Sequence, residues 1–258
     1  MVHRWLVLPA ALVVLFASAE AAAAKRVNVQ RNASQIVGFH GKAVGPRSDP
    51  IAIFRDPSAL VFGLMGSAGS VPQRILEFSY ILGRRVAQKG QILLTGACWD
   101  IPEAGARGAK EHGGRTVGIS AFRTLGLHRR HGQPFKHYDV MKFTELPYCM
   151  RGSRQPNFIG RDIDNIWHSN ALIYVRGRTG TWNELSIALT FQKPIGILLN
   201  SGGIAEQVKA DVAAIQRGGK HPTAPIIYDA SPVRLVDRLF EATRQFEAEG
   251  GAKGPLGD

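Results

Sequence analysis

Cysteine is almost missing from this chain: Cys98 and Cys149 are the whole supply in 258 residues. Two thiols cannot make a disulfide framework, and a chain of this length can bury a core without one. Two readings of the pair stay open, a single bridge if the protein is exported or two unrelated buried thiols. Long apolar runs are scarce too. The most prominent spans residues 5–17 and falls short of the ~20 residues that a helix needs to cross a bilayer. No membrane span is therefore expected in the mature chain. Internal repeats, Cys/His finger spacing and the aromatic-rich signature of RNA-binding modules are absent as well. A specific nucleic-acid partner is not expected, although the formal net charge is +12. The basic residues are scattered, apart from short clusters such as Arg129-Arg130. Such a balance favours phosphate-bearing or otherwise acidic partners.

The remaining composition, 45% hydrophobic and 20% charged, is that of an ordinary globular protein. The N-terminus stands apart. Arg4 precedes the apolar run, small residues follow it up to Ala24, and Lys25-Arg26 comes next. That order is a positively charged start, an apolar segment of signal-peptide length and several possible cleavage sites. Residues 1–24 are read as a signal peptide, which implies export. The competing reading is an apolar extension from a start codon assigned too far upstream, which implies a cytoplasmic protein.

Residues 25–57 are polar and irregular and read as a linker or arm. A folded domain is expected over residues 58–249, with a disordered tail at 250–258. Within the domain, short β-rich segments alternate with amphipathic ones. Strands are expected near residues 60–65, 91–95, 115–119, 140–143, 171–175, 195–199 and 225–228. Helices are expected near 72–89, 102–112, 158–168, 182–191, 204–217 and 232–247. This alternation predicts an α/β fold, a doubly wound and mainly parallel sheet of about seven strands with helices on both faces. Ligands bind such sheets outside the strand C-termini, near a reversal of strand order. Glycine-containing turns after the strands ending at Met65, Thr95 and Val175 fall on that edge. The basic stretch 121–138 reads as a loop over the site. Its His128, His131 and His137 find no carboxylate or cysteine to complete a metal-ligand set, so a solvated loop that steers anions is expected.

The most informative stretch is Arg176-Gly-Arg-Thr-Gly-Thr-Trp-Asn-Glu184, a glycine-rich turn between a strand and a helix. Bare backbone N–H groups and a helix N-terminus make a natural phosphate seat. A carboxylate so close to that seat suggests chemistry or hydroxyl recognition rather than a plain anion site. Its duller role would be to stabilise the helix N-terminus, and Arg161 would then be a structural ion-pair partner of Asp162 or Asp164. Trp99 and Trp182 are either stacking platforms for a base or half-buried packing residues.

Arg161-Asp162, a spacer of thirteen residues and the loop ending in Glu184 together resemble the LOG ("lonely guy") family of the SLOG, Rossmann-like nucleotide-binding superfamily. The family pattern is Arg-Lys, a spacer, then Pro-Gly-Gly-x-Gly-Thr-x-x-Glu. Residues 94–102, with Gly105, Gly108 and Gly113-Gly114, look like its second glycine block, and Gly63 to Gly69 like its first. The likeness covers about residues 58–230. It implies a Rossmann-like fold, usually dimeric, and a mononucleotide or related phosphate-bearing ligand. Characterised members hydrolyse the N-glycosidic bond of nucleoside 5′-monophosphates; relatives bind molybdenum cofactor or sense nucleotides. The leading function it implies is a nucleotide-binding protein acting as a nucleoside 5′-monophosphate phosphoribohydrolase; the alternative is a non-catalytic sensor or carrier of a nucleotide or molybdopterin-type ligand. Lysine decarboxylation, a label many relatives carry, finds no lysine in a suitable setting. No cofactor and no metal are called for.

Carried over by position, the resemblance makes Arg161 and Glu184 the catalytic pair. A carboxylate there would stabilise a developing oxocarbenium ion, hold the ribose hydroxyls or activate water. Gly177, Arg178, Thr179, Gly180 and Thr181 would cradle the phosphate. Gly66 and Ser67 would line the opposite wall, and Gly96 would let the ligand approach closely. Arg176 stands where the family has Pro, Arg178 where it has Gly, and Asp162 where it has Lys. The loop is thus closer to a branch with Gly-Arg-x-Gly-Thr-x-Asn-Glu.

Overall fold

The central strands of this chain are short and largely apolar rather than alternating, as Ala-Leu-Ile-Tyr-Val at residues 171–175 shows. That pattern belongs to strands covered on both faces. In the computed structural model they form one sheet of eight parallel strands: β1 (Lys42–Val44), β2 (Val61–Gly66), β3 (Ile92–Thr95), β4 (Arg115–Ser120), β5 (Val140–Phe143), β6 (Ala171–Val175), β7 (Ile195–Leu198) and β8 (Ile226–Asp229). Seven helices accompany them among the described residues: α1 (Gln73–Gln88), α2 (Ile101–Lys110), α3 (Leu125–Arg130), α4 (Phe158–Trp167), α5 (Thr179–Thr190), α6 (Val208–Arg217) and α7 (Pro232–Ala248). The structure describes residues 41–44, 48–54, 56–144, 156–217 and 223–251. The apolar segment 1–24, most of the 25–57 stretch before β1, Cys149 and residues 252–258 of the expected tail lie outside them. No helix of the described residues is long and apolar enough to cross a membrane.

The strand order is β1-β5-β4-β3-β2-β6-β7-β8. Alternate residues of each strand enter separate cores. Val61, Met65, Leu172 and Tyr174 meet α4, α5 and α6 on one face. Phe62, Leu64, Ile173 and Val175 meet α1, α2 and α7 on the other. The doubly wound sheet is as the pattern implies, with one strand more. That extra strand, β1, falls in the stretch read as an arm. It is held by backbone register with β5, Ala43 opposite Met141, and its side chains are largely exposed, so it carries no apolar pattern to betray it. The stretch 121–138 also departs from the expected loop. It contains α3, whose Thr124 Oγ1 accepts the Leu127 N–H at 3.2 Å.

Polar groups stitch the α4 face to β5. Lys142 Nζ donates to His168 Nε2 at 2.7 Å and lies 3.2 Å from an Asp164 oxygen. Burial, then the charges of Lys142 and Lys193, press His168 down to about 3, so its ring is neutral and free to accept. Asp164 is therefore committed to Lys142 rather than to Arg161.

On the opposite face α1 and α2 meet backbone to backbone. A Cβ on Gly83 would sit 1.9 Å from the Gly105 carbonyl oxygen, and one on Gly108 would sit 2.0 Å from that of Tyr80. Gly105 and Gly108, part of the second glycine block, thus serve helix packing and not a ligand. Gly83→Ala is expected to lower stability by about 1–3 kcal/mol through overpacking. A urea midpoint unchanged from wild type would refute this close contact.

Candidate functional site

Strand order reverses at β2. The chain steps from β2 through β3 and β4 to β5 on one side, and β6, β7 and β8 continue on the other. The turns that leave β2, β3, β4 and β6 therefore converge outside one sheet edge, where open α/β sheets hold their ligands. A cavity of about 330 Å³ lies there. Of the residues singled out from sequence, Gly66, Ser67, Gly96, Arg161, Arg178, Gly180, Thr181 and Glu184 line it. Gly177 and Thr179 do not.

The α5 end of the cavity is built to meet negative charge. Arg178 is the residue before the helix, extended at φ −134°, and offers no side-chain cap. The first-turn N–H groups of α5 have no carbonyl one turn back and remain open donors. Gly180 leaves the approach clear, since a Cβ there would meet nothing within 4 Å. Opposite, Ser67 is buried and its Oγ has no partner. The Arg178 guanidinium crosses to the β2 turn and donates to the Ala68 carbonyl, so it bridges the two walls. Arg176 sits at φ 54°, a left-handed conformation that proline's ring forbids. The turn entering α5 therefore takes a path the family's Pro-Gly-Gly loop cannot follow. Gly177 supports that turn from below, as a Cβ would meet Thr181 Cβ at 2.7 Å.

Arg161 and Glu184 share the cavity wall, each fixed by a different partner. Arg161 Nη2 donates to Asp162 Oδ1 at 2.9 Å, and Asn183 Nδ2 donates to the other Asp162 oxygen at 3.0 Å. Burial alone would loosen the Arg161 proton, but Cys98, Glu184 and Asp162 nearby raise its pKa. Its Nε is buried without a partner. The chain lies on Gly96, where a Cβ would stand 3.2 Å from that Nε, so Gly96 is bare to admit Arg161. Glu184 is 4% exposed and accepts from Asn165 Nδ2 at 3.0 Å. It is the sixth residue of α5, beyond the first turn, so a helix-end role does not explain it. Burial foremost, then the Asp162 charge, lift its carboxyl to about 7 against the pull of Arg161 and Asn165.

Asn165 and Asn183 escaped the sequence reading, although the first is one helical turn from Arg161 and the second adjoins Glu184. The stretch 121–138 lies over the site as read, with His128 on the cavity wall, but Phe122 and Gln133, which line it too, escaped the sequence reading. His128 is 1% exposed, which corrects the solvated loop expected of it, and burial lowers its pKa. His137 bonds Glu103 at 2.5 Å, a carboxylate that is distant in sequence. Among the described residues no three of His, Cys, Asp and Glu gather to hold a metal. Trp182 is not among the lining residues, whereas Trp99 is. Cys98 also lines the cavity and has no disulfide partner among the described residues.

The Glu184 carboxyl predicts a pH signature. Its folded value of about 7 lies above the ordinary 4.5, so the folded state holds the proton more tightly. Stability contributed this way is complete below about 4.5 and is lost as pH rises through about 7. Wild type should therefore lose roughly 1–3 kcal/mol relative to Glu184→Gln across that window. A difference in urea stability that stays flat from pH 4.5 to 7 would show that the carboxyl is already ionised.

Comparison with known proteins bears on the fold and on lineage. The sequence profile of the SLOG cluster4 family matches residues 59–236. An uncharacterized protein of Archaeoglobus fulgidus is 29% identical over 136 residues, which cover 53% of this chain and 78% of that protein. The molybdenum cofactor binding protein of Rippkaea orientalis superposes with a TM-score of 0.55 at 24% identity, covering 71% of this chain and 96% of its own. The molybdenum cofactor carrier protein of Chlamydomonas reinhardtii gives 0.54 at 22%, with 72% and 99% covered. At these identities the two structures establish a shared Rossmann-like fold. The profile match takes in β2 through the start of α7, with every turn that forms the cavity, and the chain belongs to the SLOG cluster4 family.

Proposed function

We propose that this protein binds a phosphate-bearing small molecule in the cavity and holds or carries it, the ligand being a nucleotide or a molybdopterin-type compound. One observation carries the reading. The open first-turn donors of α5 face an unpartnered, buried Ser67 hydroxyl across a cavity at the reversal of strand order. Phosphate oxygens satisfy both sets of groups. The names of the Rippkaea and Chlamydomonas proteins support a carrier. So does the engagement of Arg161 with Asp162 and of Glu184 with Asn165. A second reading, hydrolysis of a nucleoside 5′-monophosphate, draws on Arg161 and Glu184, which share the cavity wall. A cavity-lining carboxyl with a pKa of about 7 suits general acid–base work at neutral pH.

Thermal shift and chromatography on one set of samples separate the two. With nucleoside 5′-monophosphates and neopterin monophosphate, the carrier reading expects stabilisation without release of base. Base release that disappears in Glu184→Gln would establish the hydrolase instead, and no stabilisation by any probe would end both. Gly180→Asp offers a sharper check. The new carboxylate favours the helix N-terminus but repels a phosphate. The variant should be at least as stable as wild type and bind phosphate-bearing probes more than about tenfold more weakly. Equal affinity by calorimetry would remove the phosphate from this end.

The reading includes a homodimer. Ile159, Trp167, Trp182 and Phe191, on or just after α4 and α5, are exposed, and Trp167 meets Phe191 edge to face at 6.1 Å. Exposed apolar groups of this size are commonly covered by a partner. Light scattering is expected to give twice the chain mass for wild type and the single mass for Trp167→Asp. A wild-type monomer would remove the dimer.

A further inference from the structure

The cavity has a second end, of different character. Trp99 is 52% exposed and Phe158 53% exposed, yet both line it and neither is loose. The Trp99 indole N–H donates to the Gly132 carbonyl, and the Arg161 guanidinium stands 5.3 Å over the Phe158 ring. Aromatic area left in water is unfavourable unless something covers it.

Beside them stand the rings of Phe122 and His128, edge to face at 6.0 Å. Phe122 stacks on His131 at 4.6 Å and 21°. His128 is fixed at both nitrogens, Nδ1 to Ser120 Oγ at 2.9 Å and Nε2 to the Pro134 carbonyl at 2.8 Å. A carbonyl can only accept, so Nε2 carries the proton and Nδ1 accepts from Ser120. The ring is left with no donor for a ligand. Gln133 is the polar exception. Its amide nitrogen donates to the His131 carbonyl at 3.4 Å, and its amide oxygen has no partner among the described residues.

We infer that this end is a slot for a planar heteroaromatic ring. The ring covers Trp99 and Phe158 and turns a donor edge, a ring N–H or amino group, to the Gln133 amide oxygen. Trp99 is the residue that makes the slot selective for ring-bearing ligands. The inference rests on the phosphate seat proposed above, because the same ligand spans both ends.

Calorimetry on the full chain tests it with four probes: ribose 5-phosphate, guanosine, guanosine 5′-monophosphate and neopterin monophosphate. At least one ring-bearing phosphate is expected to bind tenfold or more tightly than ribose 5-phosphate. Trp99→Ala should abolish that gain without changing ribose 5-phosphate affinity, and Trp99→Phe should restore most of it, as stacking on an aromatic side chain requires. Trp99 is half exposed, so its removal leaves both cores untouched. Ring-bearing and ring-free phosphates of equal affinity, or a gain that survives Trp99→Ala, would overturn the slot while leaving the phosphate seat standing. Guanosine binding as tightly as its monophosphate, with loss in Trp99→Ala, would keep the slot and overturn the phosphate seat. Failure of all four probes would overturn both.

Discussion

A guanidinium at the edge of a sheet needs room and counter-charge, and much of this site follows from how Arg161 obtains both. Room comes from Gly96, whose missing Cβ lets the side chain lie against the β3 turn. Counter-charge comes first from Asp162, its neighbour on α4. Asp162 is itself 3% exposed and needs a second donor, which Asn183 supplies from α5. That bond fixes α5 against α4 and sets Glu184 beside Asn165. The polar network thus runs from the β3 turn through two helices to the wall of the cavity. Removing one partner would strand the others in a poorly solvated place, which is more harmful than never having made the bonds.

Much of this was legible in the chain before its fold was known. The continuous apolar runs at residues 171–175 and 195–198 gave away strands covered on both faces. Glycine turns marked the sheet edge where the cavity lies, and the family resemblance marked Arg161 and Glu184, which share its wall. What was hidden has physical reasons. β1 is held by backbone pairing and has no apolar side-chain pattern. α3 has only six residues, too few to show helical periodicity, and its cap Thr124 is one hydroxyl among many. The Glu103–His137 and Lys142–Asp164 pairs join residues far apart in sequence, and spacing does not report such contacts. Glycines were the ambiguous signal. Gly180 opens to the cavity, but Gly83, Gly105 and Gly108 serve helix contact. A sequence alone cannot separate bareness for a ligand from bareness for a neighbouring helix.

Charge and neutrality are also distributed with purpose along the cavity. Its α5 end offers open N–H donors, the wall between holds the Arg161 guanidinium among two carboxyl groups, and the far end is aromatic, with Phe158 beneath that guanidinium. Of the two guanidinium groups on the cavity wall, Arg161 is offset by Asp162, whereas Arg178 rests on the Ala68 carbonyl and keeps its charge toward the pocket. The donors of the proposed anion seat are backbone dipoles, which do not titrate, so pH acts on it through Glu184 and through the second ionisation of a phosphate near pH ~6.

The backbone contact between α1 and α2 has a mechanical consequence. Two helices separated by flexible side chains can slide on each other; two helices whose Gly105 and Tyr80 carbonyl oxygens press on the bare positions Gly83 and Gly108 cannot without a clash. The turns ahead of them, after β2 and β3, are also tied where the Gly69 N–H meets the Asp100 carboxylate. These two walls therefore form one stiff jaw. Any widening of the cavity to admit a ligand has to come from the facing side, the segment carrying α3 and the turn into α5, which side chains strap to this jaw at Trp99 on the Gly132 carbonyl, His137 on Glu103 and Arg178 on Ala68.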